Sequence, residues 1–358
     1  MKILMVGDLH LYTNEIRTTK KMVKNNEVML KNLYKYLKEN EDIDLVIFGG
    51  DLQHQTPKGD VLREVSLWRK WFRKIGKLMA PRRKRIKNFK IHGVSEKVKK
   101  GFDKGRIYPL ISVRGNHDDD KVLKVTAENK DDYIKQYTFF DELVDEDLIL
   151  NPKGLTFTAG DDKFYIDIRN YGEADRSVPK GAKNRKVIAV FHDNVLQPES
   201  PLWMIKGKSK EGVYNAEDVM VNVDIGILNH IHERVDPLYI EASDGVKVLW
   251  QIGSMGRTSL KDENMRDVGY CGLIDTDNLD SFGTVEIDVI PAEEYFSFQK
   301  AFDAKKRKSD YEDFELKMNT VNRKFQDPRE DIKALEDVDD RVKQVCVDTL
   351  TEIMDRKN

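Results

Sequence analysis

The stretch KILMVGDLH, residues 2–10, runs through four consecutive apolar residues and then breaks into Asp-Leu-His. A short apolar run bounded by polar residues reads as a strand buried on both faces. The same form recurs as LVIFGG (45–50), LISV (110–113), VIAVF (187–191) and DIGIL (224–228). Helical spacing lies between these runs. Val61, Val65, Trp68, Phe72, Ile75 and Met79 make one apolar stripe. From residue 237 onward, LYIEA, VLWQIG, CGLIDT and GTVEIDVI predict successive strands with polar turns. The alternation predicts an α/β fold, a layered α-β-β-α sandwich with mixed sheets.

After Pro291 the pattern turns helical. Ser309 and Glu312 form a capping-box pair, and Tyr311, Phe314, Met318, Val321 and Phe325 follow as a stripe. Asp327, Pro328 and Glu330 mark a second helix start. Ile332, Leu335, Val338, Val342 and Val345 are expected on one continuous face of it. The expected division is a body over 1–290 and a C-terminal helical segment over 291–358.

The 358 residues are 39% hydrophobic and 35% charged, with a formal net charge of −2. No apolar run reaches the roughly 18 residues of a membrane span, and the N-terminus lacks a small-residue cleavage signature. No membrane association and no signal peptide are expected. Cys271 and Cys346 are too few for a disulfide framework and match no zinc-site spacing, so two packed thiols in a reducing cytoplasm are expected. Charge is unevenly spread. Residues 69–106 carry sixteen Lys and Arg against Glu96 and Asp103 only. This basic insertion, with Arg82, Arg83, Lys84 and Arg85 at its centre, reads as either a solvated loop or a polyanion contact.

Six of the seven histidines fall in short segments that directly follow predicted strands. GDLH offers Asp8 and His10. GGDLQH offers Asp51 and His54. GNHD offers Asn116 and His117. FHDN offers His192, and LNHIH offers His230 and His232. Residues two apart in an extended chain share a side, and open α/β sheets gather ligands at strand ends. Carboxylate, amide and imidazole donors without thiolate suit Mn, Fe, Zn or Mg. They are too many for one ion. Two divalent ions about 3.5–4 Å apart, joined by a carboxylate, would clamp a phosphate group. His92 lies in the basic segment and has no motif.

The ordered set DLH, GGD, GNHD, FHD and NHIH resembles the calcineurin-like metallophosphoesterases over residues 1 to about 260. Asn229 stands where that pattern has Gly, a mild departure because Asn tolerates left-handed backbone better than most residues. The resemblance implies one ion held by Asp8, His10, Asp51 and His232. It implies a second held by Asp51, Asn116, His192 and His230, with Asp51 as the bridge. Mn2+ is preferred, with Mg2+, Fe2+ and Zn2+ also compatible. His117 is left off the metals, to stabilise phosphoryl charge or protonate the leaving oxygen. Asp118 either orients His117 or ends the turn.

Two further features resemble the SbcD-type DNA repair nucleases. GGDLQH is similar to their GDLFH motif, which gives His54 a role in positioning the phosphodiester. QIGSMGRTSL (251–260) is similar to their PGS segment with a following TSL. This resemblance implies a metal-dependent DNA nuclease, exonuclease or endonuclease, in repair, recombination or end processing. It implies DNA and an SbcC-type coiled-coil ATPase as partners; the C-terminal helices are read equally as a docking surface for that ATPase or as a helical cap on this chain's own core, and a homodimer is a further expectation. A cytoplasmic enzyme is expected, a virus-encoded one included. Arg114 is read equally as a salt-bridged scaffold residue or a phosphate contact, and Arg257 as a phosphate contact. The competing reading is a calcineurin-like phosphatase or small-molecule phosphodiesterase that does not act on DNA. A metal-binding scaffold without catalysis is the third.

Overall fold

The structure is a computed structural model. It describes residues 1–12, 21–54, 62–118, 121–123, 133–135, 138–196, 213–258, 265–279, 282–296, 328–333, 335 and 338–355. In chain order the strands are β1 (Lys2–Val6), β2 (Ile43–Phe48), β3 (Lys87–His92), β4 (Leu110–Ser112), β5 (Lys121–Leu123), β6 (Tyr133–Lys135), β7 (Gly154–Ala159) and β8 (Asp162–Arg169). They continue as β9 (Lys186–His192), β10 (Asn194–Leu196), β11 (Val213–Asn215), β12 (Ile225–Asn229), β13 (Leu238–Ala242), β14 (Gly245–Gln251), β15 (Val268–Asp275) and β16 (Phe282–Asp288).

One sheet has the order β16-β15-β1-β2-β4, and a second has β13-β14-β12-β9-β8-β7-β3. Both are mixed. β1 runs parallel to β2 and antiparallel to β15, while β9 lies parallel to both β8 and β12. Two small ladders, β5–β6 and β10–β11, stand apart.

The layering follows from alternation along the central strands. Leu4 and Val6 of β1, with Val46 and Phe48 of β2, pack against two helices. Ile3, Met5, Leu45 and Ile47 point the other way, into a core shared with Ile188, Val190, Ile225 and Ile227 of the second sheet. Val187, Ala189 and Phe191 of β9 then face a third cluster with Val219 and Met220. Each central strand is thus buried on both faces, which is why these runs are uninterrupted in sequence.

The helices over the first sheet are α1 (Met22–Glu39) and α2 (Leu62–Met79). On α2, Val65, Trp68, Phe72, Ile75 and Met79 are buried, which is the expected stripe apart from Val61, outside the described residues. Shorter helices follow: α3 (Glu96–Asp103), α4 (Phe139–Asp145), α5 (Ala216–Val219) and α6 (Ala292–Tyr295). Ser95 caps α3, and a Thr138–Asp141 capping box starts α4.

The basic segment is part of this framework. It completes α2, turns at Arg82–Arg85, supplies β3 at the edge of the second sheet and ends in α3. The expectation that its basic centre binds phosphate is corrected for Arg82, which is buried, and two more of the four are engaged by the protein itself. Arg82 is buried, and its guanidinium donates to the carbonyls of Leu37 (2.6 Å), Asn40 (3.0 Å) and Ile43 (3.1 Å). Those groups include carbonyls at the C-terminal end of α1, which no intrahelical donor reaches. Arg83 donates to the Phe102 carbonyl and lies over its ring. Arg85 binds the Glu41 carbonyl and the Asp44 carboxylate. Only Lys84 of the four is exposed without such a bond among the described residues.

The chain divides into two units, Met1–Phe296 and Ser297–Asn358. In the second, α7 (Pro328–Lys333) starts at the expected proline, and α8 (Asp340–Asp355) follows separately. The expected continuous stripe is therefore broken. Asp339 restarts the helix by accepting from the Arg341 N–H at 2.8 Å. Ile332 and Leu335 are buried, whereas Val342 and Val345 are 41% and 64% exposed. The Ser309–Glu312 capping pair and the stripe from Tyr311 to Phe325 lie outside the described residues. Among the described residues, no helix is long and apolar enough to cross a membrane.

Replacing Arg82 by Ala should lower stability by about 1–3 kcal/mol, because buried carbonyls lose their donor. Lys84→Ala should stay within about 0.5 kcal/mol. Urea denaturation of both variants checks this, and equal midpoints would show that Arg82 does not hold the end of α1.

Candidate metal centre

The motif residues sit where parallel strands end. Asp8 and His10 follow β1, Asp51 follows β2, and Asn116 and His117 follow β4. His192 closes β9, and Asn229 closes β12 just before His230 and His232. Backbone bonds stitch the loops together. His10 N–H donates to the Asp51 carbonyl (2.8 Å), Leu11 N–H to Leu52 (3.0 Å) and His54 N–H to Leu11 (3.0 Å). The segment after β14 closes the other side: Met255 and Gly256 N–H groups donate to the Asp8 carbonyl at 3.0 and 2.7 Å.

The convergence is tight enough to strain the backbone. His10, Asp51 and His230 all have positive φ, at 46°, 44° and 81°. Non-glycine residues rarely hold this conformation, and it concentrates at functional sites. The motif glycines leave room for the ligands. A Cβ on Gly50 would lie 2.4 Å from His192 Nδ1, and one on Gly115 would lie 2.0 Å from Asp51 Oδ1.

Three groups of possible ligand atoms each fall within 4.8 Å: Asp8, His10 and His232; Asp51, His192 and His230; and His10, His54 and His117. In the first, the His10 and His232 Nε2 atoms face each other at 2.8 Å, and Asp8 Oδ2 is 3.8 Å from His232 Nε2. In the second, His192 Nε2 lies 3.3 Å from Asp51 Oδ1. Asn116 Oδ1 joins that group, 2.9 Å from His230 Nδ1 and 3.2 Å from His192 Nε2. Asp51 faces both groups, since its Oδ2 lies 3.7 Å from His10 Nε2. It stands where a bridging carboxylate would.

These residues fit a pair of divalent cations. Asp8 Oδ1 is buried with no hydrogen-bond partner among the described residues. His192 Nδ1 pairs with the Gly49 carbonyl at 2.8 Å, which turns Nε2 toward the other ligands. Thr258 Oγ1 approaches His232 Nδ1 at 3.3 Å in the same manner. The donors are oxygen and imidazole nitrogen throughout.

Burial shapes the charges. It pushes the Asp8 carboxyl up to about 8, and the nearby Asp51 charge acts in the same direction. It lowers His230 to about 3, His232 to about 4, and His10 well below the ordinary imidazole value. Those imidazoles are neutral at pH 7 and present lone pairs. For Asp51, burial works upward, but His192, His10 and His117 outweigh it and hold the carboxyl far below its ordinary value. For His192, burial works downward, but Asp51 and Asp8 outweigh it and raise it to about 10. Positive charge is thus drawn to the point between the two carboxylates.

Of the other candidates, His117 and His54 stand beside the ligands. Their rings stack at 4.7 Å, and each lies within 5.3 Å of the His10 ring. Arg114 takes the scaffold role: it pairs with Asp141, donates to the Asp118 carbonyl at 3.1 Å and lies over the Phe140 ring. Arg257 as a phosphate contact is corrected. It is 1% exposed and donates to the carbonyls of Arg266 (2.7 Å) and Ile290 (2.5 Å) and to Asn25 Oδ1 (3.2 Å). At the departure from the family pattern, the left-handed residue is His230 rather than Asn229. The Asn229 side chain is buried and donates to the Phe191 carbonyl at 3.1 Å. It fills the space beside Gly49, where a Cβ would meet its Oδ1 at 2.0 Å. His92 pairs with Thr156 at 3.0 Å on β3.

Two supporting residues are weakly marked in the sequence. The buried Asp118 carboxylate accepts from Leu52 N–H (3.0 Å) and Gly115 N–H (3.0 Å), so it ties the Asp51 loop to the Asn116 loop. Gln53 reaches the His117 carbonyl at 3.3 Å and accepts from Phe139 N–H at 3.1 Å. A carboxylate directly after GNH was the signal for the first; nothing marked the second.

A sequence model of the calcineurin-like phosphoesterase family matches residues 1–234. Among solved structures, the chain is similar to an archaeal phosphodiesterase, at 13% identity and a TM-score of 0.30, over 80% of this chain and 100% of the other. It is also similar to a hypothetical protein from Thermus thermophilus, at 11% identity and a TM-score of 0.38, over 80% and 100%. No curated protein matches the chain.

Calorimetric titration with Mn2+ should give two ions per chain, and Asp51→Asn should give fewer. Asp118→Ala should keep both sites but weaken them by about ten- to hundredfold, the usual loss when a group orienting the ligands is removed. Two full sites in Asp51→Asn would exclude the bridging role.

Proposed function

Because this chain belongs to the calcineurin-like phosphoesterase family, we propose that it is a hydrolase of phosphodiesters, and specifically a metal-dependent DNA nuclease of the repair and end-processing kind. The observation that carries the diester reading is the position of His54. Its imidazole stands with His117 and His10 at the edge of the first ligand group, where it can meet a phosphate oxygen.

In this reading Asp8, His10 and His232 would hold one ion and Asn116, His192 and His230 the other, with Asp51 shared between them. Mn2+ is the preferred ion for such a donor set, with Mg2+, Fe2+ and Zn2+ as competitors. Bound ions would supply Lewis-acid polarisation of the phosphoryl oxygens and a water of lowered pKa. His117 gives a proton to the leaving oxygen. His54 orients the diester, and burial, which pulls it down to about 4, keeps it neutral. Arg114 and Asp118 fix the loop that carries Asn116 and His117.

Support for DNA comes from charge left over after folding. Lys84, Lys87, Lys90, Lys97, Lys100, Lys104 and Arg106 are exposed on or beside β3 and α3. The two acids of the segment are already paired, Glu96 with Lys99 and Asp103 with Arg83. Such a surface attracts polyanions. Exposed Val342 and Val345 on α8 support a partner-facing helix, for which a coiled-coil ATPase is the expected occupant. The free thiols Cys271 and Cys346 support a reducing, cytoplasmic setting.

Mn2+-dependent digestion of end-labelled single- and double-stranded DNA tests the proposal, run beside bis-p-nitrophenyl phosphate and p-nitrophenyl phosphate. DNA and the diester should be cleaved faster than the monoester. His54→Ser should lose at least about a hundredfold in DNA hydrolysis while keeping both ions. Preference for the monoester would replace the nuclease with a phosphatase, and loss of ions in His54→Ser would reassign His54.

A further inference from the structure

We infer that Tyr12 is a positioning residue that holds the His54 imidazole in place for phosphodiester turnover, an inference that rests on the function proposed above. The Tyr12 ring stacks on His54 at 4.3 Å with 30° between planes. His54 also stacks with His117 at 4.7 Å and 24°. The three rings form one pile beside His10, and rotation of His54 out of it would break two aromatic contacts.

Tyr12 is itself fixed from behind. The residue is 6% exposed and packs with Met22, Ile290, Ala292, Tyr295 and Phe296. Its carbonyl accepts from Asn26 Nδ2 of α1 at 2.6 Å. His54 N–H donates to the carbonyl of the preceding residue, Leu11, so the backbones of the two stacked residues are joined as well.

The hydroxyl is the informative atom. It is buried and has no hydrogen-bond partner among the described residues. A buried hydroxyl without a partner opposes folding. The structure therefore uses the planar ring of Tyr12 rather than its polar tip, and a phenylalanine should serve as well.

The full-length chain with Mn2+ is assayed on bis-p-nitrophenyl phosphate as Tyr12→Phe, Tyr12→Leu, Tyr12→Met, His54→Ser and the Tyr12→Leu, His54→Ser double variant. Tyr12→Leu and Tyr12→Met should lose about ten- to hundredfold in kcat, the scale of a displaced catalytic group, with both ions still bound. Tyr12→Phe should restore kcat to within about twofold of wild type, and the double variant should be no slower than His54→Ser alone. A second readout is independent of turnover. In histidine-labelled protein, the His54 Cε1–H resonance should move in Tyr12→Leu, as the Tyr12 ring current is lost, and return in Tyr12→Phe. An unmoved resonance, wild-type kcat in the ringless variants, or full additivity with His54→Ser would overturn the inference. Failure of the wild-type protein to cleave any diester would instead sink the proposed function, and the resonance would still decide the role of Tyr12.

Discussion

Two carboxylates, Asp8 and Asp51, are each 1% exposed and lie at the ends of adjacent strands, and the arrangement around them follows from that placement. Buried like charges at close range raise each other's pKa and disfavour folding unless positive charge comes between them. Here burial opposes charge on the imidazoles of His10, His230 and His232. His192 is raised to about 10 by the two carboxylates against the effect of its own burial. Buried carboxylates that converge with imidazole nitrogens within 4.8 Å of one another, one carboxylate oxygen having no hydrogen-bond partner among the described residues, describe a place built for cations.

The sandwich makes this placement achievable. Central strands buried on both faces are rigid, and parallel neighbours end together. The strain needed to turn three ligands inward, with positive φ at His10, Asp51 and His230, is held by contacts around them. Asp118 joins two of the loops, and the backbone of Met255 and Gly256 closes a third against Asp8. Arg114, Arg82 and Arg257 then anchor the same frame from outside the ligand groups through buried or stacked guanidiniums.

The sequence was most legible where one physical demand dominates. Burial on both faces writes an unbroken apolar run, so β1, β2, β9 and β12 could be read directly. Metal-type ligands after each run were equally plain, because rare histidines in that position need a reason. Arginine was opaque. Arg82 meets carbonyls some 40 residues away, and nothing in PRRKR distinguishes it from the exposed Lys84. The role of Asn229 was hidden for a related reason: nothing in the sequence shows that its side chain fills the gap left by Gly49. The break between α7 and α8 was hidden because apolar spacing stayed regular across a restart set by Asp339.

The central claim is that residues distant in the chain gather around two divalent cations shared through Asp51. Anomalous diffraction at the manganese edge, from crystals grown with Mn2+, tests it most directly. The account predicts two peaks about 3.5–4 Å apart, one beside Asp8, His10 and His232 and the other beside Asn116, His192 and His230, with Asp51 between them. Absence of both peaks, or manganese bound only away from Asp51, would contradict it.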